Sequence, residues 1–356
     1  MLILVVSNDG SRAEEVKREL ADQGLEWQLE WTREVEVALS GERAPDVLVC
    51  ADEVGAYSGI ALLAQLRIRH PETMRILLTG ANDDRDSTHA LEVAQRVLSD
   101  PLDALALIEA VESAVELRTL LDDPALKRVI GRVGSLPTAP NQYLALTRLL
   151  RDPDVSAARI AALIGEDPAL AAQVLRMTNS AYYSAGREIT DLRTAVTRLG
   201  QSALRQLVLA SEVFFVGSHS AEAKGMRERA LRISRLASEL LAGPSADLAA
   251  TAGLLAEVGL LLPQQAHVDE SGTVAPHNVA GAYLLGLWGL PAPIVEAVAF
   301  YKTPSRIRGF WVTGAVHVAA ALVNGTDVDE GYLRRAGQFE QLARWRSLAS
   351  ERAEAA

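Results

Sequence analysis

Hydrophobic residues follow two different rhythms along the chain, and the change falls near residue 122. Before it, short apolar runs alternate with amphipathic segments, which is the pattern of strand–helix units around a parallel sheet. The runs that we predict as strands are residues 2–6, 27–31, 47–50, 75–79 and 97–98. Residues 1–121 are therefore predicted to form a doubly wound α/β domain that ends in a long helix, Leu102 to Leu121.

After residue 122 the strand pattern stops and helical spacings follow one another. Asp167 before Pro168 is typical of a helix start, because the carboxylate accepts backbone N–H groups and proline tolerates the first helical position. In the first domain, Ser11 with Glu14 has the spacing of a capping box and predicts another helix start. We predict an all-helical domain over residues 122–330.

The last residues, 331–356, are predicted to form an amphipathic helix and a tail. Between Tyr332 and Leu348, apolar residues recur at helical spacings, at Leu333, Phe339, Leu342 and Trp345. Such a face either caps the helical core or docks a partner, and packing within the chain is the simpler expectation.

Composition and charge narrow the classes of function. Hydrophobic residues make up 49% and charged residues 23%, which is typical of a globular protein. The net charge of −11 disfavours binding to nucleic acid. The richest apolar stretch, Leu248 to Leu262, contains Glu257 and falls short of the ~20 residues that a membrane span needs. With no signal-peptide pattern and a single cysteine, Cys50, we expect a cytoplasmic protein without membrane insertion.

The segment PDVLVCADEVGAYSGIALLAQLR, residues 45–67, and the order of the strand–helix units carry a family likeness. They resemble the receiver domain of bacterial two-component response regulators, a flavodoxin-like fold, over nearly all of residues 1–120. The resemblance implies a pocket at the strand ends. In that family the pocket holds an acidic pair for Mg²⁺, a phosphoacceptor aspartate, a Thr or Ser, and a Lys before a proline.

Most of those positions are substituted here. The implied pocket residues are Ser7 and Asn8 at the acidic pair, Asp9 beside them, Ala51 at the phosphoacceptor, Thr79 at the hydroxyl position, and Asp100 at the lysine. Asp52 offers a carboxylate one residue after Ala51, but a shift of one residue turns a strand side chain to the opposite face. We expect a receiver-like docking module, with phosphorylation of Asp52 as the alternative.

The helical region contains three stretches with a second likeness: residues 136–183, residues 192–207 (LRTAVTRLGQSALRQL), and residues 277–304 (HNVAGAYLLGLWGLPAPIVEAVAFYKTP). They resemble the HDOD domain, a helical relative of the HD phosphohydrolases, over residues 128–325. Active HD enzymes bind metal through His and Asp side chains from several helices, and the metal activates a water to attack phosphate.

The implied metal-ligand positions carry other residues, with one exception. They are Ala230 at an early histidine, Ala256 and Glu257 at the His-Asp pair, Tyr301 and Lys302 at a late histidine pair, and His277, the one histidine retained. A lone helical histidine is more often structural, and Glu257 with His277 would be a poor zinc or iron site. We expect no metal, no cofactor and no catalytic residue.

Two further groups are candidate contacts for a ligand or a partner. Asn179, Ser180 and Tyr183 follow a predicted helix end, where the Asn179 amide can join the helix to the next loop. The second group, Arg229, Arg232 and Arg235, recurs at a spacing of three and forms one basic stripe. The stripe is either a solvated helix face or a site for an anionic nucleotide such as cyclic di-GMP.

Together these features predict a non-enzymatic signalling regulator, an atypical response regulator that relays a signal through protein contacts of its two domains. The expected partners are signalling proteins of the histidine kinase, diguanylate cyclase or phosphodiesterase classes, or a second copy of the chain. The alternatives are a cyclic-dinucleotide sensor and a response regulator that is phosphorylated on Asp52.

Overall fold

The computed structural model describes residues 1–354, apart from 41–43, 81–89, 92, 119–123, 135, 137–139, 151, 153, 181–187, 212–220 and 263–275. Leu121, the predicted end of the long helix, and Tyr183 lie outside the described residues. Five parallel strands precede a region whose described elements are all helical. The predicted fold class, a doubly wound flavodoxin-like sheet followed by an all-helical region, is confirmed.

The strands are β1 (Leu2–Val6), β2 (Gln28–Thr32), β3 (Val47–Ala51), β4 (Glu53–Val54), β5 (Tyr57–Ser58), β6 (Met74–Thr79) and β7 (Arg96–Ser99). The main sheet has the order β2-β1-β3-β6-β7, and all of its neighbouring strands are parallel. Every residue of β6 is buried, as expected of a central strand covered on both faces. The antiparallel hairpin of β4 and β5, which follows β3, is not predicted by the sequence pattern.

Helices cover both faces of the sheet, and they are α1 (Ser11–Asp22), α2 (Val35–Ser40), α3 (Gly59–Arg69) and α4 (Ala104–Arg118). Alternate residues of β1 face the two layers, because side chains alternate across a strand. Ile3 and Val5 pack with α1 and α4. Leu4 and Val6 pack with α2 and α3, in a buried cluster that continues into the helical region.

The start of α1 differs from the predicted capping box. The residue that precedes the helix is Gly10, which has no side chain to cap it. The Ser11 N–H and hydroxyl instead donate to the Asp9 carboxylate over 2.9 and 2.8 Å. The predicted box of Ser11 with Glu14 is therefore wrong, because the acceptor comes from Asp9, two residues before the helix.

The helical region contains α5 (Pro124–Gly131), α6 (Pro140–Leu149), α7 (Ala157–Ile164), α8 (Pro168–Thr178), α9 (Leu192–Ser211), α10 (Ala221–Glu239), α11 (Pro244–Leu255), α12 (His277–Leu287), α13 (Ala292–Phe300) and α14 (Val312–Asn324). Short 3-10 turns lie at Val258–Leu261 and Pro304–Arg306. The predicted cap of α8 is confirmed, because the Asp167 carboxylate accepts the N–H groups of Ala169 and Leu170.

The C-terminal segment packs on the helical region but is not a single helix. It forms α15 (Glu330–Arg335), a 3-10 turn and α16 (Leu342–Glu354), and Gly337 between them has a φ of +69°. The prediction of one continuous amphipathic helix is therefore wrong. The Trp345 ring nevertheless stacks on Phe310 at 5.1 Å, within a buried cluster that includes Leu333 from α15. This packing favours the capping role over the docking role.

A buried boundary joins the sheet domain to the helical region, where α4 and α5 both pack against α12. Arg75 on β6 donates to carbonyls on both sides of it, from Nε to Val93 at 2.8 Å and from Nη2 to Gly131 at 2.7 Å. Burial lowers the pKa of Arg75 to about 9. None of the helices in the described part of the chain has the length and hydropathy of a membrane span.

Arg176 on α8 crosses the same boundary from the helical side. Its Nη1 donates to the carbonyl of Gly134 and its Nη2 to that of Ala94, both at 2.7 Å, and Nη2 also donates to the carbonyl of Leu91. The guanidinium carbon lies 4.4 Å from the centroid of the Trp288 ring. Because backbone carbonyls are fixed by the fold, these bonds set how the two parts are oriented.

Candidate functional site

Two places could carry chemistry, and the first is the end of the sheet where the receiver resemblance implies a pocket. Asn8, two residues after β1, is hydrogen-bonded to the hairpin of β4 and β5. Its Nδ2 donates to the Glu53 carbonyl at 2.9 Å, and the Gly55 N–H donates to its Oδ1 at 2.7 Å. Both polar atoms of the Asn8 amide are therefore hydrogen-bonded to the hairpin backbone. The receiver resemblance implies a metal-binding carboxylate at this position.

Ser7, the other residue that the resemblance places at the acidic pair, is hydrogen-bonded to the side chain of Trp31. The Trp31 indole N–H donates to the Ser7 hydroxyl at 3.0 Å, and that hydroxyl donates to the Asp9 carbonyl at 2.9 Å. The ring lies so close to Gly10 that a Cβ there would be 2.6 Å from it. The two bonds from Ser11 lower the pKa of the Asp9 carboxyl, so Asp9 is ionised and serves the start of α1.

Ala51, the residue at the phosphoacceptor position that the receiver resemblance implies, is the last residue of β3. Ala51 pairs with Leu78 of β6 and presents a methyl group, which has no atom that could accept a phosphoryl group. Asp52 is the first residue after β3, and its carbonyl accepts the N–H of Gly59 at 2.6 Å. Gly59 approaches so closely that a Cβ there would be 2.1 Å from the Ala51 carbonyl oxygen.

The two remaining positions of the implied pocket are Thr79, the last residue of β6, and Asp100, the first residue after β7. Thr79 is buried at the end of β6, and its carbonyl accepts the N–H of Asp100 at 2.9 Å. Asp100 is exposed, so a negative charge stands where the family has a lysine. Burial, with the charge of Asp52 second, raises the pKa of the Cys50 thiol to about 12, so this cysteine is not a nucleophile at neutral pH.

The second place is the cleft of the helical region where the HD resemblance implies a metal. Glu257, between α11 and a 3-10 turn, accepts from Arg229 of α10 through Nε at 3.1 Å. Its other oxygen accepts from Asn324 of α14 through Nδ2 at 2.9 Å. Both oxygens of the carboxylate are therefore bound to side chains of the chain itself.

A second string of polar groups lies beside this ion pair. His277, at the start of α12, places Nε2 at 2.9 Å from the Tyr301 hydroxyl and Nδ1 at 3.5 Å from Lys302 Nζ. Burial, with the charge of Glu257 second, raises the pKa of Tyr301, while Arg229 acts in the opposite direction. The turn that follows Glu257 packs against the start of α12, which carries His277, so these groups are neighbours. We call Arg229, Glu257, His277, Tyr301 and Lys302 the Arg229–Lys302 cluster.

The two remaining HD positions lack any ligating atom. Ala230 and Ala256 are fully buried in the apolar core, on α10 and directly after α11. The donor set does not suit a divalent cation, because the guanidinium of Arg229 occupies one oxygen of Glu257 and an ammonium faces His277. Among the described residues, no group of three or more His, Cys, Asp or Glu side chains is placed to hold a metal.

The candidate contact residues have divided roles. Asn179 joins the end of α8 to the next segment, because its Nδ2 donates to the Ile189 carbonyl and its Oδ1 accepts the Ile189 N–H, both at 2.8 Å. Ser180 is buried and donates to the Met177 carbonyl at 2.7 Å. Tyr183 lies outside the described residues.

The basic stripe also divides. Arg229 reaches the cleft, whereas Arg232 and Arg235 are exposed on α10. Arg227, two residues before Arg229, is buried and pairs with Asp167 at 3.0 Å. Neither the pairing of Arg229 nor that of Arg227 could be read from the spacing, which tells only that residues share a helix face.

Two residues that contribute to these sites have no signal in the sequence. Asn324 lies 67 positions from Glu257, and Trp31 lies 24 positions from Ser7. Neither belongs to a motif, and both are ordinary residues of a helix end and a strand. Only the tertiary fold brings them to the two sites.

Comparison with known proteins identifies the helical region. Residues 136–275 match the sequence model of the HDOD domain, so this part of the chain is similar to HDOD domains. An uncharacterized protein of Treponema pallidum (strain Nichols) is 27% identical over 199 residues, which cover 49% of this chain and 39% of that protein. The chain therefore spans less than half the length of that relative.

Solved structures with similarity include response regulators and receiver domains. The MmoQ response regulator of Methylococcus capsulatus (strain Bath) is 24% identical, with a TM-score of 0.48, over 60% of this chain and 98% of that chain. The signal receiver domain of an HD domain-containing protein from Pseudomonas fluorescens Pf-5 is 29% identical, with a TM-score of 0.30, over 33% of this chain and 88% of that chain.

Proposed function

We propose that the chain is a non-enzymatic signalling regulator of the bacterial cytoplasm, which relays a signal through protein contacts of its receiver-like and HDOD domains. A receiver-like sheet joined to an HDOD domain is an arrangement of signalling proteins.

The ion pair between Arg229 and Glu257 carries the proposal. A catalytic metal in this cleft needs anionic or neutral ligands with free lone pairs. One oxygen of Glu257 accepts from the Arg229 guanidinium at 3.1 Å, and the other accepts from Asn324 at 2.9 Å. A divalent cation would have to displace Arg229 and stand beside its positive charge, which Coulomb repulsion disfavours.

The receiver-like end supports the same reading. Phosphoryl transfer to a carboxylate requires Mg²⁺ and a cationic side chain to balance the charge of the product. Asn8 and Ser7 are neutral and bound to the hairpin and to Trp31, while Asp100 adds negative charge. The backbone of the β4–β5 hairpin at this end of the sheet is held in place by Asn8, and a fixed surface of this kind suits the docking of a partner protein.

A hydrolysis assay tests the absence of catalysis. Purified protein is incubated with bis(4-nitrophenyl) phosphate or cyclic di-GMP and with Mn²⁺ or Fe²⁺. We expect the same product release from the wild type, from a Glu257→Gln variant and from the buffer blank. Metal-dependent turnover that the Glu257→Gln variant loses would overturn the proposal.

A phosphorylation assay tests the receiver-like end. The chain is incubated with acetyl phosphate and Mg²⁺ and analysed by intact-mass spectrometry, beside an Asp52→Asn variant. We expect no phosphoryl adduct on either protein. An adduct on the wild type that is absent from Asp52→Asn would identify a working response regulator instead.

The proposed partners are signalling proteins of the histidine kinase, diguanylate cyclase or phosphodiesterase classes, or a second copy of the chain. The net charge of −11 argues against nucleic acid as the partner. Affinity capture with the full chain as bait, followed by binding assays with each purified protein, tests this. Failure of every recovered signalling protein to bind directly would contradict it.

A further inference from the structure

We propose that the Arg229–Lys302 cluster of the HDOD domain binds a phosphate-type oxyanion, which Arg229, Lys302 and the Tyr301 hydroxyl hold together. The inference rests on the proposed function, in which this cleft binds but does not hydrolyse. It gives the regulator a small anionic input at the place where the related enzymes bind metal.

The orientation of the ion pair leaves its cationic side outward. The side chain of Glu257 is 5% exposed, whereas that of Arg229 is 38% exposed. The bond to Glu257 uses only Nε, so the two terminal nitrogens of the planar guanidinium can donate elsewhere. An anion that approaches from solvent therefore meets the donors of Arg229 before it meets the carboxylate behind them.

The second string supplies further donors. An ammonium group can only donate, so in the tautomer whose Nδ1 accepts from Lys302 over 3.5 Å, His277 Nε2 carries the hydrogen and donates to the Tyr301 oxygen. The phenolic O–H of Tyr301 is then directed to another acceptor. Among the described residues the structure shows no acceptor for it, although the Tyr301 side chain is only 3% exposed. A buried donor of this kind is costly unless a ligand or a water completes it.

The charge of the cluster also fits an oxyanion. Arg229 and Lys302 are cationic, and among the described residues the carboxylate that acts on Tyr301 and Lys302 is Glu257, so this described group has an excess of positive charge. Burial lowers the pKa of Lys302, with the charge of Glu257 acting in the opposite direction. A bound anion would favour the charged form of Lys302, whereas a metal cation would meet two positive groups.

Geometry favours the phosphate class over a carboxylate ligand. The donors belong to different elements, because Arg229 lies on α10 whereas Tyr301 and Lys302 follow the end of α13. A tetrahedral oxyanion has several acceptor oxygens that point in different directions and can meet such donors at once. Bidentate binding by the guanidinium fork adds to this preference.

Inorganic phosphate is the probe for the test. Isothermal titration or ³¹P NMR, at constant ionic strength with chloride as reference, should show saturable binding of one phosphate. Lys302→Gln and Tyr301→Phe should each weaken it about tenfold, the effect of losing one strong hydrogen bond. Arg232→Gln is the matched control, because Arg232 is exposed on the same helix as Arg229, and it should change the affinity less than about twofold.

Two results would overturn the inference: no saturable binding of phosphate, or equal weakening by Arg232→Gln and Lys302→Gln, which would indicate a diffuse surface effect. Circular dichroism of each variant confirms that it is folded. Failure here is distinct from failure of the proposed function. Loss of phosphate binding without turnover removes only the anion site, whereas metal-dependent turnover of an ester removes the non-enzymatic role whether or not phosphate binds.

Discussion

Replacing Arg176 with methionine tests whether the receiver-like sheet and the helical region are held together by guanidinium–carbonyl bonds. The methionine side chain fills much of the same space against Trp288 but cannot donate a hydrogen bond. The Gly134 and Ala94 carbonyls, now at 2.7 Å from the guanidinium, lose their donor. The substitution therefore isolates the polar contribution of one boundary residue.

The expected magnitude follows from those contacts. Hydrogen bonds from a charged donor contribute roughly 1.5–3 kcal/mol each, and a desolvated cation–π contact about 2 kcal/mol. Against this, removing a 4% exposed guanidinium recovers a desolvation cost of several kcal/mol. The buried carbonyls left without a donor keep the balance unfavourable, so we expect a loss of about 3 kcal/mol in the free energy of unfolding.

Urea denaturation followed by circular dichroism measures this loss, and hydrogen exchange locates it. Arg193→Met is the matched control, because Arg193 is exposed on α9, and it should cost less than about 0.5 kcal/mol. Exchange in Arg176→Met should speed up on both sides of the boundary, near Ala94 and near Gly134. A loss below about 1 kcal/mol, or faster exchange on the helical side alone, would refute the role of Arg176 as an interdomain tie.

Two further predictions concern the helical region and the sheet end. His317 is buried, donates from Nδ1 to the Tyr301 carbonyl and accepts the Asp329 N–H at Nε2, and burial lowers its pKa below about 6.5. The stability that neutral His317 contributes is therefore complete above that pH and is lost as the pH falls below it. Between pH 7.5 and pH 5.5, the urea midpoint should fall more in the wild type than in His317→Gln. Equal pH dependence of the two proteins would contradict this. Gly10→Ala should displace the Trp31 ring from Ser7, shift the tryptophan emission to the red and lower the free energy of unfolding by about 1 kcal/mol. The control is Gly80→Ala, at an exposed glycine with free space around it, and it should change neither the emission nor the stability.

The sheet was predictable because its signal is local. The continuous apolar run at residues 47–50 suits a strand that is buried on both faces, and its short length favours a strand over a helix. The hairpin of β4 and β5 has only two residues in each strand, which is too short to show alternation. Its position depends on the Asn8 amide, a contact 45 residues away in the sequence.

The cluster in the HDOD domain was predictable only in part, for a geometric reason. Spacing placed Arg229, Arg232 and Arg235 on one face of a helix, and the exposure of the last two agrees with a solvated stripe. Arg227 and Arg229 lie about 200° apart around the helix axis. One meets Asp167 and the other meets Glu257, so each is tied to a different neighbour. Helical periodicity gives the angle between side chains but not the elements they face, so the ion pair of Arg229 with Glu257 could not be derived from the sequence motifs.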